Sequence, residues 1–148
     1  MNTIKRIGLA GAVAGTLVFG GCSATNSMLG RNQQTWTMKS EEASPAVQAQ
    51  VQIATGEKGN RDLKLEAKHL APAEAVFSGT RTYVVWLKPD EGRPVNIGVL
   101  SPDKNDNAKL QTTTPYTSFE IMVTAEDTAQ PTVPSHHEVA SARIHVAT

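Results

Sequence analysis

Histidine, serine and carboxylate side chains crowd the last part of this 148-residue chain, and they are the first residues to weigh for chemistry. His136 and His137 sit in a loop pattern rich in Pro and Ser, and His145 falls on the polar face of the last strand pattern. These three are the candidate metal ligands. Adjacent histidines on a strand point to opposite faces, so they chelate only where a loop turns both toward one ion. Solvated loop histidines are the plainer reading, and no metal or cofactor is assigned; a metal-handling protein using His136, His137 and His145 stands as the alternative. Ser135, His136 and Glu138 supply the residue types of nucleophilic catalysis, but contiguity in sequence is not convergence in space. There is no Gly-x-Ser-x-Gly elbow, no phosphate-cradling loop and no dinucleotide fingerprint. Asp103-Lys104-Asn105-Asp106-Asn107 lacks the glycine and the closing glutamate of a calcium loop and reads as a solvated turn. The expectation is a protein that is not an enzyme.

Chemistry of another kind is expected at Cys22, the single cysteine. Lys5 and Arg6 precede an apolar run from Ile7 to Phe19, and Gly20-Gly21 stand directly before the cysteine. The run has 13 residues, short of the roughly 20 that a spanning helix needs, and its flanks are those of a secretory signal. Leu17-Val18-Phe19-Gly20-Gly21-Cys22 resembles the lipobox of bacterial lipoproteins, with Phe19 where leucine is commonest. That resemblance implies cleavage after Gly21, a diacylglyceryl thioether on Cys22 and an acylated amine, palmitate among the usual chains. Each buried methylene contributes about 0.8 kcal/mol, and two or more chains hold a protein stably on a bilayer. Ser23 rather than aspartate after the cysteine implies, in a Gram-negative host, the periplasmic face of the outer membrane. The expected location is the cell envelope. A lipidated Cys22 also leaves no thiolate for blue copper and none for an internal disulfide.

Two of the 14 basic residues lie in the signal, so the chain from Cys22 onward has 12 basic against 14 acidic residues, a net charge of −2. No clustered basic patch marks a nucleic-acid partner, and no polybasic run marks a second membrane contact. The organisation expected is a signal at residues 1–21, a lipidated cysteine with a flexible tether at 22–44, and one domain at 45–148. The tether is rich in Ser, Thr, Asn, Gln and Gly. Trp36 and Met38 interrupt it. They fit a short added strand, a segment docked in a groove or a contact at the lipid interface, with an irregular tether and one docked aromatic the simplest of these.

The elements that must position these residues read as all β. Val47, Ala49, Val51 and Ile53 alternate with Gln48, Gln50 and Gln52, and Leu63, Leu65 and Ala67 alternate with Lys64, Glu66 and Lys68. With the turn cluster Gly56–Asn60 between them, they predict a hairpin with one wet face. Thr82–Leu87 is apolar on both faces, as a central or doubly covered strand is. Val95–Leu100, Lys109–Thr113, Phe119–Ala125 and Ala140–Val146 complete about seven strands, the pattern of an immunoglobulin-like antiparallel β-sandwich. Trp86 fits either the core of such a sandwich, the simpler reading, or an exposed patch with Val84 and Tyr116.

Tyr83-Val84-Val85-Trp86-Leu87, followed by Gly92-Arg93-Pro94-Val95-Asn96-Ile97-Gly98-Val99-Leu100, resembles the C-terminal extracytoplasmic domain of anti-sigma-K factors. Phe119–Glu126 and Gln130-Pro131-Thr132 continue the likeness, which covers roughly residues 80–139. It implies an extracytoplasmic sandwich with a sensory or contact role. Sigma-factor binding does not carry over. Six residues precede the apolar segment, no His/Cys zinc-like cluster is present, and Asp127, Thr128 and Ala129 replace the glycines expected after the Val-Thr-x-Glu segment. The partners expected are the membrane, through the lipid on Cys22, and an envelope protein or the wall, met by an edge strand or a loop surface.

Overall fold

The alternating runs assemble in the way their period demands. The computed structural model describes residues 32–147; residues 1–21, expected as a signal, and Cys22 lie outside them. Among the described residues nine strands follow one another: β1 (Gln34–Thr37), β2 (Lys39–Ser40), β3 (Gln48–Thr55), β4 (Arg61–Lys68), β5 (Thr82–Pro89), β6 (Val95–Leu100), β7 (Ala108–Thr114), β8 (Ser118–Glu126) and β9 (Glu138–His145), with a short helix, α1 (Ala73–Val76), before β5. They form a four-stranded sheet in the order β1-β3-β4-β7 and a five-stranded sheet in the order β2-β9-β8-β5-β6. Every pairing is antiparallel. The chain is an all-β, immunoglobulin-like sandwich. Its connectivity differs from that of immunoglobulin domains in the four-stranded sheet: the consecutive hairpin β3–β4 lies at its centre, where those domains set strands of different hairpins side by side, and β4 meets the distant β7 at its edge.

The core forms because each strand points alternate side chains inward. Val51 and Ile53 of β3, Leu63 and Leu65 of β4, Tyr83 and Val85 of β5, and Phe119 and Ile121 of β8 fill the space between the sheets. Ile144 of β9 joins them. Tyr83 is there with its hydroxyl satisfied, donating to the Ala71 carbonyl at 2.6 Å.

Nine strands replace the expected seven because β1 and β2 arise from the segment read as tether. Thr35 and Trp36 pair with Gln52 and Val51 of β3. The chain then crosses to the other sheet at the buried Met38, and Lys39 pairs with Ser141 of β9. The Met38 amide donates to Ala49 in one sheet, and the Glu41 amide donates to Val139 in the other. The sandwich therefore includes Gln34–Ser40, which lie within the 22–44 segment expected as a tether. Four residues of modest apolarity look like a tether in isolation; the open edge of β3 makes them a strand.

Candidate functional site

The two outer faces of the sandwich have opposite character. On the five-stranded sheet, β5 buries both faces. Val84 and Trp86 point away from the core, yet Trp86 is only 1% exposed. Trp86 is thus buried as expected, but it does not lie between the sheets and is no part of an exposed patch. Tyr116 stands in a turn, away from that strand, and is exposed.

A polar chain runs over this outer face. The Trp86 indole N–H donates to Thr124 Oγ1 at 2.8 Å, and the Thr124 hydroxyl donates to Glu126 Oε1 at 2.5 Å. The Ser135 amide donates to the same oxygen at 2.8 Å, so Glu126, 5% exposed, fastens the β8–β9 connection to the sheet. Asn96 of β6 donates to the Ala129 carbonyl at 3.0 Å and fastens the connection at its other side.

The histidines fall around this connection. His136 and His137 have their ring centroids 5.7 Å apart, edge to face, and the His137 ring stacks on Phe77 at 4.6 Å. His145 stands at the far end of β9, opposite Ser118. Eight residues of extended chain put it on the order of 25 Å from His137, so the three candidate ligands do not converge. Among the described residues, no three His, Cys, Asp or Glu side chains cluster closely enough to hold an ion. Ser135 Oγ donates to the Ala125 carbonyl and accepts from the His137 amide; its partners are backbone groups. Asp103 Oδ1 accepts the amides of Asn105 and Asn107, which makes that acidic stretch a self-closed turn. Cys22 lies outside the described residues.

Among the described residues, no segment covers the outer face of the four-stranded sheet. Cross-strand register lines up Thr35, Gln52, Lys64 and Gln111 as one row across β1, β3, β4 and β7. Thr37, Gln50, Glu66 and Lys109 form the next row. Two ammonium groups share one carboxylate: Lys64 Nζ lies 2.8 Å and Lys109 Nζ 3.7 Å from Glu66 Oε1. The Lys64 hydrogen bond holds the Glu66 carboxyl below the usual carboxylate range; partial burial opposes it, while Gln50 and Lys109 assist. At one end of the face a groove of about 370 Å³ opens among Gln33, Gln52, Ala54, Asp62, Lys64 and Gln111. The alternation of β3 and β4 announces this wet face, but not its meeting with Gln111 of β7, since a single strand's pattern does not choose its neighbour.

The fold and its surfaces define an all-β sandwich module with one covered face and one open, amide-rich face. No protein-family model matches the chain, and no curated protein sequence matches it significantly. Among the described residues, no helix is long and apolar enough to cross a membrane.

Proposed function

We propose that this chain is a lipid-anchored module of the cell envelope that works by binding, in an accessory or sensory role, and not by catalysis. One observation carries the reading: Cys22, alone of its kind, directly follows Gly20-Gly21 at the end of a short apolar run that begins after Lys5-Arg6. The sandwich begins at Gln34, twelve residues later, which leaves the length of a connector between an anchor and a folded domain. The resemblance to the extracytoplasmic domain of anti-sigma-K factors supports a contact or sensory role in the same compartment. Binding rather than chemistry fits side chains whose hydrogen bonds run to the protein's own backbone, as Ser135 and Asp103 do.

The test is mass spectrometry of the protein recovered from cells fed a palmitate analogue. A mature chain starting at Cys22, carrying the label and lost in Cys22→Ser, is expected. A protein that keeps residues 1–21 or bears no lipid would overturn the proposal. The metal-handling alternative gains no support from the positions of His136, His137 and His145.

A further inference from the structure

We propose that β7 is a strand-addition edge whose occupant is the β7 of a second copy of this chain, so that the two four-stranded sheets join into one. The inference stands on the sheet edge and its side chains, and does not depend on a lipid at Cys22.

The sheet edges are not alike. β2 is two residues long and β1 four, and the Gln34 side chain at the start of β1 is tied to the Ala147 backbone. β6 meets β5 with a register shift at Val85/Trp86. Short or kinked edges resist further pairing. β7 has none of these devices. Its seven residues pair with β4 without a register shift, include no proline and end in three threonines, which suit a strand. Among the described residues, no backbone–backbone hydrogen bond reaches its other side. A long, regular, unpaired edge is the template that an added strand needs.

Register argues for self-pairing. Two identical antiparallel strands related by a two-fold axis set one residue against its own copy. With Gln111 on the axis the whole of β7 is used, Ala108 against Thr114 and Lys109 against Thr113. No like charges then face each other. The exposed Gln111 amide, which no described residue satisfies, meets its own copy, and a primary amide both donates and accepts.

Charge favours the same register. Lys64 already lies 2.8 Å from Glu66 Oε1, so Lys109, at 3.7 Å and with its side chain 69% exposed, is the surplus cation of this face. It stands on the edge strand. Asp62 faces Thr113 from β4 and has no ion-pair partner among the described residues. In the joined sheet the row runs Glu66, Lys109, then Thr113 and Asp62 of the second copy. The Lys109 stem lies two strands, about 9.6 Å, from that of the second copy's Asp62, a span the two side chains can close. The lysine thus stands between two carboxylates, one from each copy, and the two-fold axis makes the contact twice.

The test uses the full chain as recovered from cells, in a mild detergent. Gln111→Cys, once oxidised, should give a dimer whose bridge, mapped by mass spectrometry, joins the two introduced thiols. Gln52→Cys, five strand spacings or about 24 Å from its copy, should give none. Thr113→Lys sets a lysine opposite Lys109 twice and should weaken self-association, followed by sedimentation, by about fivefold or more. Thr113→Glu should tighten it by a similar factor. Within one chain the neighbour of position 113 is Asp62, so the thermal stability of the single chain should move the opposite way in each variant. That opposition separates self-pairing from a change in the fold.

A chain that sediments as a monomer however concentrated would overturn the proposal. So would oxidation that links Gln52→Cys as readily as Gln111→Cys, or Thr113 variants that shift association in the same direction or not at all. A lipidated Cys22 on a monomeric chain would leave the envelope reading standing alone, and a β7-linked dimer without lipid would leave this one.

Discussion

Thr124 is the residue on which the covered face depends. Its hydroxyl accepts from Trp86 and donates to Glu126, two partners that are themselves almost wholly buried. A valine there keeps the shape, strands the Trp86 N–H and leaves Glu126 Oε1 with the Ser135 amide alone, so Thr124→Val should lower the unfolding free energy by about 1–3 kcal/mol in urea titrations. With Trp36→Phe as background, the remaining Trp86 should emit as a buried indole; emission like that of free indole would contradict its placement. Tyr83 makes a second prediction. Burial first, then the nearby charges of Glu74 and Asp106, push its phenol up to about 12. An unfolded tyrosine ionises near 10, so between these values the unfolded chain sheds a proton that the folded chain keeps. Stability from this group is complete below about pH 10 and is lost as pH rises toward 12. The fall in stability across that window should be shallower in Tyr83→Phe.

At the scale of elements, β6 shows how an edge is both packed and closed. Gly98 has φ +150°, and a Cβ there would stand 2.7 Å from Leu110 Cδ1 of β7. The missing side chain lets the edges of the two sheets approach. The register shifts opposite Val85/Trp86, and Asn96 Oδ1 accepts the Gly98 amide at 3.0 Å. A bulge and a self-satisfied amide blunt this edge against another strand. Strand addition at β6, one of the modes the sequence left open, therefore has little to pair with. Gly98→Ala should cost about 1–3 kcal/mol through overpacking and backbone strain, measured by thermal unfolding. Leu110→Ala should recover part of that loss in the double variant, because the two positions share one space.

For the whole molecule, closure at the opposite side is the work of β1 and β2. They pair with β3 in one sheet and β9 in the other, and the Gln34 side-chain amide both donates to and accepts from the Ala147 backbone at 3.4 Å. Compared with a chain starting at Asn32, one starting at Glu42 should unfold several degrees lower. It should also aggregate, since the edges of β3 and β9 would be bare; light scattering and calorimetry check both. The same closure places the four-stranded sheet's polar face and the five-stranded sheet's covered face on opposite sides of one sandwich.

By itself the sequence determined the seven main strands, because period-two alternation in runs such as Val47–Ile53 and Phe119–Ala125 has only one good burial. It also marked the wet face of the β3–β4 hairpin and singled out Cys22, which stands in a local pattern legible without any tertiary contact. Only the tertiary structure decided that Gln34–Ser40 joins both sheets, since their pairing depends on edges made by residues far along the chain. It alone placed Trp86 outside the core, set His145 far from His136 and His137, and brought Gln52, Lys64 and Gln111 into one row. Each of these is a long-range pairing, and alternation along a strand says which face a side chain takes but not which strand lies beside it.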